Sequence, residues 1–228
     1  MTPAGLEARG VSYFPEGAGG EEGALLRKVS ARFEKGRITL LSGEMGAGKT
    51  TLLNTLAGLL RPAEGEVIAE GLAVSHWTSA HLDRWRRDVG LVFQSCHLWA
   101  GLTVLENVIL PMIPRGEKLA RLRTFGLESL KRLGVAHLAG RRARGLSLGE
   151  RQRVTVARAL VSRPAFVLAD EPTAHQDEGG VAIVLDCLAS AAEGNATLVV
   201  ASHDPRVLKD LRIEHRWHLT KGRIERIS

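Results

Sequence analysis

The 228-residue sequence has two cysteines, one tyrosine and aromatic side chains at only 4% of its positions. Cys96 and Cys187 show no CxxC spacing, which speaks against both a disulfide framework and a thiolate zinc site. No apolar run approaches the roughly 18 residues that a spanning helix needs. The opening residues lack the basic-then-apolar order of a secretory signal, so the expected compartment is the cytoplasm. Internal repeats, linkers and low-complexity tracts are also missing, and the length suits one α/β domain with a substantial core. Arginines cluster at 84, 86 and 87, at 141, 142 and 144, and at 151 and 153, and the formal net charge is +6. Aromatics do not interleave with those clusters, so a base-stacking surface is poorly supported and no nucleic-acid partner is expected. A solvated basic face, partly near phosphates or lipid headgroups, fits better.

What the sequence does have is centred on Gly43-Glu44-Met45-Gly46-Ala47-Gly48-Lys49-Thr50-Thr51. The apolar, β-branched run Ile38–Ser42 precedes it and predicts a buried strand, and Thr51–Ala57 predicts a helix. Strand, glycine loop and helix in that order form a phosphate cradle. Its glycines let successive backbone N–H groups turn toward one anion, and the helix points its positive end the same way. Lys49 supplies a point charge for the outer phosphates, and the Thr50 hydroxyl can ligate Mg²⁺. The chain therefore reads as a nucleoside-triphosphate binder.

Upstream, residues 6–14 and Leu25–Phe33 predict a hairpin around a glycine-rich acidic turn over residues 16–23. Tyr13 can stack on a nucleotide base or serve as an ordinary strand aromatic, and spacing alone leaves both open. Downstream, Val67-Ile68 predicts a short strand, residues 78–88 a polar helix and Val89–Phe93 a strand ending beside Gln94. Thr103 to Glu106 has capping-box form, Pro111 and Pro114 end the helix behind it, and Leu119–Leu133 predicts another. This stretch interrupts a βαβ alternation, so an inserted helical subdomain is expected over about residues 95–163. Its last helix, Glu150–Ser162, stops before Pro164. The strand that follows ends in Asp170-Glu171, the usual partner of a phosphate loop: one carboxylate for Mg²⁺, one to orient or deprotonate water. A helix near 178–192, a strand Thr197–Ala201 ending at Ser202-His203-Asp204, and strands Glu214–Leu219 and Arg223–Ile227 complete the pattern.

With these motifs in order over nearly the whole chain, the sequence closely resembles the nucleotide-binding subunit of ABC transporters. The most specific piece is Leu146-Ser-Leu-Gly-Glu150, set against the LSGGQ signature, with Leu148 in place of a glycine and Glu150 in place of glutamine. The resemblance implies an α/β fold: a phosphate-loop NTPase core with a mostly parallel sheet, an N-terminal antiparallel β subdomain and the helical signature subdomain. It implies ATP hydrolysis with ATP and Mg²⁺. Tyr13 would stack on adenine, and Gly43, Gly46, Ala47, Gly48, Lys49, Thr50 and Thr51 would hold phosphates. Thr50, Gln94 and Asp170 would serve the metal, Glu171 would be the base and His203 the γ-phosphate contact. Ser147 and Gly149 would reach the γ-phosphate bound to a second copy. Ala174-His175-Gln176-Asp177 falls where the family has SALD, and Asp177 would communicate across the dimer.

The implied partners are a second cassette, as homodimer or as heterodimer with another ABC subunit, and an integral membrane permease. The permease would dock beside Gln94 near Leu98, Trp99, Leu102 and the helix from Thr103. The expected place is the cytoplasmic face of the membrane, held peripherally. The motifs look most like the branch of lipoprotein release, macrolide export and bacterial cell division. Export or membrane extraction of a lipophilic or peptide-like substrate is the expected task, and ATP-gated mechanical regulation without transport is the alternative.

Overall fold

The computed structural model describes residues 5–15, 23–210 and 212–227, so the acidic turn expected over residues 16–23 lies, except for Gly23, outside the described residues. The strands in chain order are β1 (Leu6–Tyr13), β2 (Leu26–Phe33), β3 (Ile38–Ser42), β4 (Glu64–Ala69), β5 (Leu72–Ala73), β6 (Val89–Val92), β7 (Phe166–Asp170), β8 (Thr197–Ala201), β9 (His215–Thr220) and β10 (Arg223–Ile227). The helices are α1 (Lys49–Leu56), α2 (Ser79–Arg87), α3 (Val104–Ile109), α4 (Leu119–Arg132), α5 (Leu148–Leu160), α6 (Glu178–Glu193) and α7 (Pro205–Leu208).

Two sheets form. An antiparallel one runs β2-β1-β4-β5, with the expected hairpin at its edge. The other runs β10-β9-β3-β8-β7-β6, parallel except for the β9–β10 hairpin. Strands β7 and β8 are buried at every residue, as apolar runs covered on both faces should be. Side chains along them alternate between two cores. Leu40, Val167, Ala169, Leu198 and Val200 face one core with α3–α6, while Leu41, Phe166, Leu168, Val199 and Ala201 face the other with α1 and the antiparallel sheet.

Most expected elements appear within a residue or two of their expected bounds. Two differ more. The strand expected at Val67-Ile68 spans six residues, because β1 offers a pairing edge from Leu6 to Ser12 that carries the polar Glu64 and Glu66 into the ladder. Helix α5 begins at Leu148 instead of Glu150, because Ser147 and Glu150 make a reciprocal capping box. A second capping box, Thr103 with Glu106, starts α3 as the sequence indicates.

The parallel pairing positions the site. Leu41 lies opposite Ala201, Asp170 opposite Ala201, and Val92 opposite Ala169. The carboxyl ends of β3, β8, β7 and β6 therefore share one edge, where ligands of open α/β sheets bind. From that edge emerge the loop 43–48, Ser202-His203, Asp170-Glu171 and Gln94.

Candidate functional site

The loop between β3 and α1 is held open by glycine. Gly43 has φ 147° and Gly48 φ 105°, both left-handed. A Cβ at Gly43 would stand 2.3 Å from the Leu219 carbonyl oxygen of β9, and one at Gly48 would stand 2.7 Å from that of Leu25. Neither the backbone angle nor the space admits another residue. Helix α1 has no side-chain cap and no acidic residue in its first turn. Its positive end is thus left for an anion. The Lys49 ammonium folds back over the loop and donates to the carbonyls of Gly43 at 2.7 Å and Glu44 at 3.0 Å.

The carboxylates meet this loop from β7. Thr50 Oγ1 donates to Asp170 Oδ2 at 2.5 Å, tying α1 to the strand end. Asp170 is only 5% exposed, and burial pushes its carboxyl above the ordinary aspartate range against the pull of the Thr50 hydroxyl. Glu171 sits next to it in a left-handed conformation, φ 47°, an uncommon one for a residue with a Cβ. Several groups hold it there. Its Oε2 accepts from Ser202 Oγ at 3.0 Å, and its Oε1 accepts from the His203 backbone N–H at 3.1 Å. The His203 ring Nδ1 is 2.6 Å from the same Oε1. From α5, Gln152 Nε2 donates to the Glu171 carbonyl at 3.1 Å, and Cys96 Sγ donates to the Gln152 amide oxygen.

Loop, carboxylates, Gln94 and His203 line one cleft of about 400 Å³. A hollow of about 430 Å³ beside Ser12, Lys28 and Arg223 has neither paired carboxylates nor a glycine loop, so volume does not choose the site. The cleft offers a hydroxyl, a carboxylate and an amide oxygen, the hard donors that suit Mg²⁺. Among the described residues no group of three or more His, Cys, Asp or Glu could hold a metal. A magnesium ion here would therefore take its remaining ligands from phosphate oxygens and water. Keeping the Asp170 carboxylate buried also has a stability cost. Asp170→Asn, which retains the acceptor for Thr50, is expected to raise the thermal midpoint of the nucleotide-free protein by about 2–4 °C, read by calorimetry. A lower midpoint would mean that the charge itself is stabilising.

The family profile described as ABC transporter matches residues 26–174. The chain is 35% identical over 191 residues to the lipoprotein-releasing system ATP-binding protein LolD of Buchnera aphidicola, covering 83% of each. The chain belongs to the ABC transporter family. It is an ATP-binding and ATP-hydrolysing subunit of such a transporter. An uncharacterized ABC transporter ATP-binding protein of Mycobacterium tuberculosis is 41% identical over 174 residues, 76% of this chain and 53% of that protein, so the chain spans about half of that relative. Among solved structures, a dimeric ATP-binding cassette in a post-hydrolysis state with ADP and Pi bound superposes with a TM-score of 0.89 at 31% identity, covering 98% of this chain and 99% of that one.

Not every expected residue of the cassette lies in its cleft. Gly43, Gly46, Gly48, Lys49, Thr50, Thr51, Gln94, Asp170, Glu171 and His203 line it, and Ala47 turns into the core beneath the loop. Tyr13 is half-buried against the antiparallel-sheet core, outside the lining, and its carbonyl accepts from Leu25 N–H at 3.0 Å. Leu25 itself lines the cleft, a contact the sequence does not signal because only the crossing of β2 over the loop creates it. Ser147 and Gly149 lie outside the cleft at the start of α5. Ser147 is exposed, its Oγ accepting from Glu150 N–H and donating to Glu150 Oε2 at 2.9 Å. Leu148 between them is 55% exposed. Asp177 caps α6 by accepting from Gly180 N–H at 2.8 Å. Gln152 and Ser202, which hold Glu171, carry no sequence signal of that role, although both stand inside motif stretches. Beside Gln94, a hollow of about 320 Å³ is lined in part by Leu98, Ala100 and Leu148, and Trp99 nearby is 66% exposed. Among the described residues no helix is long and apolar enough to cross a membrane.

Proposed function

We propose that two copies of this chain close around two ATP molecules and drive a separate membrane permease that exports or extracts a lipophilic or peptide-like substrate. One observation carries the dimer: the cleft gathers the phosphate loop, both carboxylates and His203, while Ser147 and Leu148 stand exposed outside it, with Gly149 half-buried behind them. Each chain thus holds two half-sites that do not meet within it. The dimeric relative with ADP and Pi supports the same arrangement. The lipoprotein-releasing name of the Buchnera relative supports the substrate class, and the transporter relatives favour transport over a regulator that moves no cargo.

In this reading, Lys49 and the N–H groups of residues 46–50 hold the outer phosphates, and Tyr13 stacks on adenine. Thr50, Gln94 and Asp170 would hold Mg²⁺, which would supply charge neutralisation for the phosphates. Glu171 accepts the proton of the attacking water, while Ser202 and the His203 N–H fix its carboxylate. His203 turns from Glu171 toward the γ-phosphate when ATP arrives. Ser147 and Gly149 of the second copy close the site, so loss of the γ-phosphate removes the contacts that hold the dimer shut. About residues 95–163, the inserted helical part of one cassette domain, carry that opening to a permease docked at the hollow beside Gln94 on the cytoplasmic face.

Complementation tests the shared site. Lys49→Ala and Ser147→Arg chains should each be inactive alone. Mixed, they should regain ATPase activity, because a mixed dimer has one site with both halves intact. A mixture as dead as its parts would count against the shared site. Tagged chain drawn from detergent extracts should bring a permease with it, and recovery without any membrane protein would count against the transport role.

A further inference from the structure

We infer that Gln176 is a positioning residue that locks the Ser147–Gly149 turn to the loop after the carboxylates, so that both meet a second copy as one piece. The inference rests on the dimer reading above. Gln176 is only 9% exposed, and its Nε2 donates to the Gly149 carbonyl at 2.8 Å, with a longer 3.4 Å approach to that of Ala174. The contact depends on glycine at 149. A Cβ there would stand 2.9 Å from the His175 carbonyl oxygen and 3.3 Å from the Gln176 amide nitrogen. His175 takes a left-handed turn, φ 60°, that brings its carbonyl there. Leucine, which the family pattern has at this position, fills similar space and donates nothing.

The lock continues toward the chemistry. The Gln176 carbonyl accepts from Arg206 Nη1 at 3.2 Å, and Arg206 pairs with Asp204 at 2.7 Å. Asp204 N–H donates to Ser202 Oγ at 3.1 Å, and Ser202 holds Glu171. Thr173 Oγ1, on the same loop as Gln176, donates to Asp204 as well. One chain of hydrogen bonds therefore joins the turn destined for the partner's nucleotide to the carboxylate acting on its own. Substitution at Gln176 measures the coupling along this path.

The test uses the full chain carrying Glu171→Gln, with Gln176→Glu or Gln176→Leu added. Gln176→Glu keeps the shape but loses both amide donors, and Gln176→Leu keeps volume without polarity. Light scattering should show that either double variant needs about tenfold more ATP for half-maximal dimer, the effect of one lost hydrogen bond with a stranded partner. Affinity for ADP should stay within about twofold, since the chain's own phosphate loop is untouched. With Glu171 intact, KM for ATP should rise by the same factor while kcat at saturation stays nearly constant. Equal ATP requirement in parent and double variants overturns the inference alone. Loss of ADP binding with a lowered thermal midpoint in both variants also overturns it, making Gln176 a packing residue. A Glu171→Gln parent that stays monomeric in ATP overturns the dimer reading and this inference with it.

Discussion

Lys49→Ala is expected to weaken ATP binding by at least about a hundredfold, the loss of a charge-assisted contact worth about 3 kcal/mol. In the structure the ammonium rests on two carbonyl oxygens, those of Gly43 and Glu44. These are neutral acceptors in a cleft that holds two carboxylates, and a triphosphate is the stronger partner for the same charge. Truncation leaves α1 its helical register and its uncapped N-terminus, so the remaining affinity measures what loop and helix supply alone. Titration calorimetry with ATP and with ADP separates the contributions: the loss should be larger for ATP, because in the proposed site Lys49 reaches the outer phosphates. Unchanged ATP affinity in a folded variant would remove Lys49 from the phosphate site.

Glu171→Gln is expected to lower kcat by about 10³, within the range for a removed general base, while ATP binding persists. The exchange is nearly isosteric, so the left-handed backbone at 171 and the Gln152 bond to its carbonyl are preserved. An amide oxygen can still accept from Ser202 or from the His203 N–H, but it cannot take a proton from water. Because the γ-phosphate contacts then outlast the encounter, the variant should accumulate as an ATP-bound dimer on gel filtration. Single-turnover phosphate release measures the rate. Hydrolysis within about threefold of wild type would exclude Glu171 as the base, since removing a general base costs far more.

The motif residues were legible because phosphate chemistry constrains them locally. A loop that must curl around an anion needs glycine at 43 and 48, and a strand that must end in carboxylates shows Asp170-Glu171 whatever surrounds it. The same holds for Thr103–Glu106, whose capping box is a matter of four neighbouring residues. Elements went astray where partners decided. The polar start of β4 becomes strand through pairing with β1, and propensity at Glu64–Glu66 carries no sign of it. At Ser147 two local signals overlapped. The S-x-x-E spacing of a cap coincides with the signature, and the helix begins two residues earlier than the apolar pattern suggests.

By itself, the sequence was enough to place the family and to propose a triphosphate loop with carboxylate and histidine partners, because each depends on residue types at short spacing along the chain. Only the tertiary structure decided how they meet. Parallel pairing of β6, β7, β8 and β3 brings four distant strand ends to one edge, and β2 lays Leu25 across the loop. Gln176 reaches Gly149 across 27 residues of chain. Such contacts form between residues far apart in sequence, where the whole core sets the distance and no local spacing encodes it.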